Sequence, residues 1–441
     1  MTNNEVKQKQ IRGKVYFYNT ESLFASAIAK ELGYSTVLKY TGDVDLENDI
    51  LEESPDYLVV NVSFCNFRLM LHSLEKIKSL LPSIKIIVTG EPFLTYNTNV
   101  TYENPFIDYV ITGEVEYTLR DILDGEADND ILGICYTDEN MQSAKNEKRP
   151  FIENLDNLPT PSKHPIKNNT ITIEVSRGCP YHCFFCLASV NNGIAHRVRS
   201  PQSIVNEIKY CIKKYNIKNF CFKSDIFNFD NKWVMELCRN ITDNELKIHW
   251  SCDILPKNID ENIIKLMYSS GLRHCRIGVE SGSKEILEKL DKDISIENIK
   301  QTITLLKKYK IKTTCYYLFG LPWETEETAE ETTKLAIELD SDNAVFNIAV
   351  PFAGTKFFVY TMLNKLFSPQ SETVEGEKRP LARSHSLSQE KILELKNEAE
   401  KRFYNRPKRK FKSLIKKLFN YPALITQAPH RNLLPFFVRR K

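Results

Sequence analysis

The sequence predicts an α/β protein in three parts: an N-terminal doubly wound, Rossmann-like sheet, a partial (β/α)6 TIM-type barrel and a helical basic C-terminal extension. Three observations carry this. Short segments rich in Val, Ile and Tyr alternate with helix-patterned stretches twice, over residues 14–125 and again over 171–350, which is the pattern of mostly parallel sheets. Between the two series, DGEADND, NEKRP and LPTPSKHP hold charges and prolines but few apolar positions, as linkers do. Residues 401–441 carry 13 Lys and Arg and no acid, out of 60 basic and 57 acidic residues in all. A +13 tail therefore follows a body of 47 bases against 57 acids, or −10. The expected boundaries are 1–125, 126–168, 169–365 and 366–441.

In the first series KVYFYN (14–19) leads into ESLFASAIAKEL, with Gly33 where a helix-terminating glycine belongs. STVLKY (35–40), DYLVVNVS (56–63), KIIVTG (85–90) and DYVITG (108–113) are further strand candidates, with a helix pattern over 66–81. Sheets of this kind bind ligands beyond the carboxyl ends of their strands, which places candidate contacts at Ser63, Gly90 and Gly113. In the second series six strands are expected, from ITIEVS (171–176) to AVFNIAV (344–350), with helices between them. Active residues of such a barrel gather at the strand C-terminal ends. SLSQEKILELKNEAEKRFY (386–404) predicts an amphipathic helix capped by Ser386 or Ser388.

The chain has 441 residues, 42% hydrophobic and 27% charged, the composition of a globular protein and not of a disordered or collagenous one. It has no apolar run of the length a spanning helix needs, and the polar start MTNNEVKQKQ has no signal-peptide character. The expected location is cytoplasmic. Its 11 cysteines are then expected as reduced thiols or metal ligands.

Three of these cysteines stand apart. ITIEVS runs into RGCPYHCFFC, so Cys179, Cys183 and Cys186 form C-x3-C-x2-C at a strand's end. Thiolates are soft ligands that select iron–sulfur clusters or zinc. Three of them can hold three irons of a [4Fe–4S] cube and leave the fourth open. Zinc with His182 as fourth ligand, or three core cysteines, are the other readings. Cys211, Cys221, Cys238, Cys252, Cys275 and Cys315 fall singly on helix or strand patterns, as small core residues do.

The motif, with Phe185 before its third cysteine, resembles the radical S-adenosylmethionine (SAM) enzymes. So do RIGVESGSKEILEKLDKDIS (276–295), YLFGLPWETEET (317–328) and VPFAGTKFF (350–358). ILGICY and FIENLDNLPTPS resemble the segment that joins an N-terminal cobalamin-binding-type domain to the barrel in one subgroup. The resemblance implies a [4Fe–4S] cluster whose open iron chelates SAM. It also implies one-electron cleavage of SAM to a 5′-deoxyadenosyl radical that abstracts hydrogen from the substrate. It assigns the cluster to Cys179, Cys183 and Cys186, and SAM contacts to Asp225, Glu280, Ser281 and Gly320. Ser224–Asp225 stands where relatives have two acids, and Glu280 has a second reading as a buried ion-pair partner.

Cobalamin-dependent methyl transfer is one implied outcome; a cobalamin-independent rearrangement, oxidation or cyclisation is another, and a non-catalytic protein that keeps the cluster a third. Asp-x-His-x-x-Gly is absent, and the only histidine before the linker is His72, so any cobalamin would be bound without a protein imidazole. Glu91 and Val115 replace glycines of the subgroup. Only Cys65 and Cys135 are available for a second cluster of the methylthiotransferase kind. Implied partners are a small, natural-product-like substrate and an electron donor such as flavodoxin or ferredoxin. The basic tail raises membrane-surface or nucleic-acid contact as alternatives to packing on the acidic body.

Overall fold

The protein is described by a computed structural model covering residues 12–19, 23–40, 45–63, 67–90, 99–161, 164, 166–367 and 380–407. Cys65, Glu91 and the tail beyond residue 407 lie outside the described residues. The chain divides into two units, 1–165 and 166–441.

In the first unit, five strands run parallel: β1 (Lys14–Tyr18), β2 (Ser35–Lys39), β3 (Tyr57–Asn61), β4 (Lys85–Thr89) and β5 (Tyr109–Ile111). Their order is 2-1-3-4-5. The chain leaves β1 in one direction to β2 and returns on its other side to β3, which makes a switch point between β1 and β3. Successive residues face opposite layers: Tyr16, Leu58 and Ile86 pack on one side, Phe17, Val59 and Ile87 on the other. This double burial explains the near-continuous apolar runs.

The stretch expected as linker contributes two more strands, β6 (Ile134–Thr137) and β7 (Ser143–Lys145), added antiparallel at the β5 edge. Asp138 makes the turn between them, its carboxylate accepting from the backbone N–H of Asn140 and Gln142 at 2.9 and 2.8 Å. β7 (SAK) is a short polar edge strand, and β6 (ICYT) buries Ile134 and Cys135 but spans only four residues, so neither offers the run of alternation that sequence reading depends on.

The second unit holds β8 (Ile166–Lys167), β9 (Thr170–Glu174), β10 (Ser176–Arg177), β11 (Arg197–Val198), β12 (Asn219–Lys223), β13 (His249–Ile254), β14 (Leu272–Glu280), β15 (Lys312–Phe319) and β16 (Asn343–Ile348). The six strands β9 and β12–β16 lie parallel in chain order, with β8 antiparallel beyond β9. The array is open between β16 and β8, as expected of a partial barrel. Helices Pro201–Tyr215, Asn231–Asp243, Glu261–Ser269, Ile296–Lys308 and Glu326–Leu339 intervene. Each is capped by a side chain, in order Ser200, Asp230, Asp260, Ser295 and Thr325.

One face of this sheet is the core, built from residues such as Ile173, Phe222, Trp250, Ile277 and Tyr317. Alternation puts Glu174, Cys221, Ser251, Asp253, Arg276 and Tyr316 on the inner face, where Arg276 is bonded to Asp253 by 2.7 and 2.8 Å contacts and to Cys221 Sγ at 3.4 Å. The inside is polar where a filled barrel is aliphatic. Helix Gln389–Tyr404, capped by Ser388, buries Ile392, Ala399 and Phe403. Tyr404 donates to the Ala344 carbonyl at 2.7 Å, and Arg406 pairs with Asp340 at 2.7 Å.

Candidate active site

The cysteine loop leaves the C-terminal end of β9 and returns through β11, which pairs with β10. Gly178 begins it with a φ of +85°, and a Cβ there would lie 2.0 Å from the Ala195 carbonyl oxygen. Only glycine fits this crossing. Cys179 N–H donates to Gly193 O at 3.0 Å, and Cys186 N–H to Cys183 O at 3.1 Å. Phe184 is buried against Trp323, Phe357 and Tyr360, with ring centroids 4.7, 5.4 and 5.8 Å away. Its backbone is held at both ends, N–H to Leu290 O and carbonyl from Phe357 N–H, each 2.9 Å. Phe184, not the motif's Phe185, is thus the buried anchor of the loop.

Burial pushes the Cys183 thiol up to about 12 and Cys186 up to about 11, and it raises Cys179. The Lys292 ammonium pulls all three the other way. Metal binding at such thiols releases their protons. A cube takes one thiolate per iron, and this loop carries three thiols within eight residues. His182 is exposed.

The predicted SAM contacts are placed differently from one another. Asp225 follows β12 and turns to the cysteine loop, accepting from Gly178 N–H at 2.7 Å and from Asn192 Nδ2 at 2.9 and 3.2 Å. Burial raises its pKa, and these donors oppose the rise. Ser224 Oγ and Asn191 Oδ1, at the same end of the sheet, are buried without a hydrogen-bond partner among the described residues. Such orphaned groups suit a polar cofactor. Glu280 ends β14 after a bulge, in left-handed backbone with φ +64°. It forms a buried ion pair with Lys292, whose ammonium also donates to Gly278 O at 2.7 Å.

Ser281 faces elsewhere: its hydroxyl lies 3.1 Å from Thr332 Oγ1 and accepts from Ser283 N–H at 3.1 Å. It fastens the turn to helix Glu326–Leu339. Gly320, at φ +91°, closes β15, with its N–H donated to Glu324 at 2.5 Å. Burial pushes the Glu324 carboxyl up to about 8. Sequence reading missed Lys292, Asn192 and Glu324. All three lie in or beside the quoted motifs, but their roles depend on folding back to the thiols and the strand ends.

In the first unit Ser63 and Gly113 lie just past β3 and β5, and Gly90 just past β4. Gly90 has φ +125° and passes Val62 so closely that a Cβ would lie 1.9 Å from its carbonyl oxygen, whereas a Cβ on Gly113 would meet nothing within 4 Å among the described residues. Gly90 therefore has a packing reason of its own. His72 is exposed on helix Phe67–Leu80.

Residues 173–336 match the radical SAM superfamily. An uncharacterized methyltransferase of Pyrococcus horikoshii is 30% identical over 376 residues, 82% of this chain and 81% of its own length. An anaerobic magnesium-protoporphyrin IX monomethyl ester cyclase of Rubrivivax gelatinosus is 27% identical over 305 residues, 65% of this chain; the match spans 55% of that relative. Among solved structures, the radical SAM methyltransferase TsrM of Kitasatospora setae, with tryptophan substrate and a SAM analogue bound, has a TM-score of 0.69 at 16% identity, covering 88% of this chain and 82% of its own. A second TsrM structure, with cobalamin and a [4Fe–4S] cluster, has a TM-score of 0.68. At such identity the likeness is one of fold.

Proposed function

The chain belongs to the radical SAM superfamily, and on that footing we propose that it is a cobalamin-dependent methyltransferase of a small molecule, with Cys179, Cys183 and Cys186 as its cluster ligands. The carrying observation is the loop itself: three thiols at the C-terminal end of the first parallel barrel strand, tied by Asp225 to the end of the next. When bound, the cluster and SAM supply a one-electron cleavage chemistry that the protein alone lacks.

The chain's own part is positional. Phe184 and Asp225 hold the thiol loop, Gly178 lets it cross under Ala195, and Glu280 with Lys292 brings paired charge to the thiols. Ser224 offers an unfilled hydroxyl beside them. The inner face, with Asp253, Arg276 and Tyr316, offers polar contacts to a small substrate with hydrogen-bonding groups.

For cobalamin, the parallel sheet supplies a switch point, and Gly113 has room above it among the described residues. Ser63 and Gly90 lie at the same edge. His72, the one histidine before residue 126, is exposed, so the reading is of cobalamin held without a histidine ligand. An external donor such as a flavodoxin or ferredoxin would supply electrons. Ten described cysteines are free, which suits a reducing cytoplasm; among the described residues no helix is long and apolar enough to cross a membrane.

The test is anaerobic purification, reconstitution with iron and sulfide, and addition of reductant and SAM. The expected products are methionine and 5′-deoxyadenosine. Alanine at Cys179, Cys183 or Cys186 should remove both the cluster and cleavage, while Cys211→Ala should keep them. Cleavage that survives Cys183→Ala would refute the ligand assignment. Added cobalamin should be retained through gel filtration with a bound-state spectrum. SAM cleavage without such retention would favour the cobalamin-independent reading that the cyclase relative suggests.

A further inference from the structure

Aromatic side chains join the thiol loop to the surface. Phe184, between Cys183 and Cys186, packs its ring on Trp323 and Tyr360. Trp323 Nε1 donates to the Tyr360 hydroxyl at 2.9 Å, and that hydroxyl lies 2.9 Å from His385 Nε2. His385 is exposed. Tyr360 alone therefore stands between Phe184 and a surface side chain, with ring centroids 5.8 Å apart on either side.

The surface reached in this way has a character of its own. Helix Lys356–Leu363, which carries Tyr360, presents Val359, Met362 and Leu363 at i, i+3 and i+4, exposed by 53%, 57% and 78%. A single exposed apolar side chain is ordinary, but three on one helix face form a patch. Bases surround it. Lys356 lies exposed one turn before Val359, and Lys365 follows the helix. Arg383 is fastened beside them, its N–H donating to the Leu366 carbonyl at 3.0 Å. Residues 356–367 and 380–388 contain no Asp or Glu. Lys356 pairs with Asp291 at 3.0 Å, whereas Lys365 and Arg383 have no carboxylate partner among the described residues. This local excess of bases stands on a body of 47 bases against 57 acids. The platform is also firm: His385 N–H donates to Pro322 O at 2.8 Å, and Ser384 Oγ to Glu324 O at 2.9 Å.

We infer that this face, centred on Leu363 and rimmed by Lys356, Lys365 and Arg383, is the docking surface for an acidic electron-transfer protein. The inference rests on the reading that a cluster on the three thiols is reduced by an external donor. Position selects such a partner, because the face connects through His385 and Tyr360 to the loop that bears the thiols. Charge selects it too: a rim of bases complements an acidic protein and steers its approach. An apolar centre of three side chains is small, as in the weak encounters of electron-transfer proteins, which bury less than about 1,200 Å². Such a partner must leave after delivering its electron. In that delivery one electron leaves the donor, which is oxidised, and enters the cluster, which is reduced. No bond forms or breaks, and no proton moves.

The experiment uses the full-length protein reconstituted with iron and sulfide, and purified flavodoxin as the probe. It reads the dissociation constant of flavodoxin and the rate at which its hydroquinone reduces the cluster, against the rate with a small chemical reductant. The substituted side chains are exposed, so the variants should fold, which circular dichroism and iron content check. Lys365→Glu/Arg383→Glu should weaken flavodoxin about tenfold or more and slow its electron delivery in proportion, with chemical reduction unchanged. Leu363→Ser should weaken it about threefold or more. The deficit of the charge-reversed variant should shrink between about 50 and about 500 mM salt, where exposed charges are screened. Binding within about twofold of wild type in both variants would place docking elsewhere and overturn the inference. Equal slowing with both reductants would also overturn it, since the residues would then act on the cluster itself. A wild-type dimer that these substitutions break, with flavodoxin binding unchanged, would give the face to a second copy of the chain. No readout involves SAM, so a reduced cluster that fails to cleave SAM would overturn the proposed function and leave the docking result standing.

Discussion

Asp225 accepts the backbone N–H of Gly178 at 2.7 Å, so a carboxylate 47 residues along the chain holds the first turn of the thiol loop. Asn192, near the loop's end, donates to the same carboxylate. Asp225→Ala would leave both donors without their partner, at a cost of about 1–3 kcal/mol. The expected result is an intact fold with loosened thiols. Iron per chain after reconstitution should fall well below wild type while far-UV circular dichroism is unchanged; Asp225→Asn should lie between. Wild-type iron content in Asp225→Ala would show that the loop is set without it.

Gly90 and Gly113 separate packing from ligand contact at the first sheet. Gly90→Ala forces a Cβ to 1.9 Å from Val62 O at φ +125°, and it should cost about 2 kcal/mol or more through strain and displacement. Gly113→Ala enters open space and should leave thermal stability within about 0.5 kcal/mol. If cobalamin lies over this edge, Gly113→Ala should still reduce its retention. A stable Gly113→Ala that retains cobalamin fully would move the ligand elsewhere.

On the barrel's inner face, Arg276 is 1% exposed and Asp253 35%. Asp253→Ala strands a buried guanidinium and should cost about 3 kcal/mol, the low end for a broken buried pair because Asp253 is partly solvated. Denaturant unfolding of the single variant and of the double variant Asp253→Leu/Arg276→Met measures this. The double variant should recover most of the loss. Equal loss in both would mean the pair matters for more than charge compensation.

Glu324 carries a pH signature. Burial raises its folded-state pKa to about 8 from an ordinary 4.5, so the folded protein holds a proton there that the unfolded chain releases. The stability this lends is fully present below pH 4.5 and is lost as pH rises towards 8. Glu324→Gln keeps an acceptor for the Gly320 N–H but does not titrate. Its midpoint temperature, followed from pH 5 to 9, should fall less than that of wild type, by an amount on the order of a few kcal/mol in stability. Parallel pH profiles would show that Glu324 does not hold the proton.

Much of this was legible in the chain. Parallel-strand runs are apolar because both faces are covered, and β1–β5, β9 and β12–β16 announce themselves that way. The Ser388 cap, one of the two serines expected, is a local hydrogen bond between near neighbours, so local sequence suffices. The strands β6 and β7 escaped because four residues (ICYT) and three (SAK) are too few for periodicity to distinguish a strand from a loop. The tail's charge is plain in the sequence, but residues 408–441 lie outside the described structure.

What the sequence determined by itself is the chemistry of the donor set. Three thiols within eight residues stay on one loop, because chain connectivity leaves them no room to part. What only the tertiary structure decided is which charges surround them. Asp225 and Lys292 reach the loop from 47 residues after Gly178 and from beyond the bulge of β14. Ser281, equally close to its motif, turns away to Thr332. Spacing along the chain specifies neighbours within a loop; strand order and backbone handedness specify which distant side chain arrives, and with which charge.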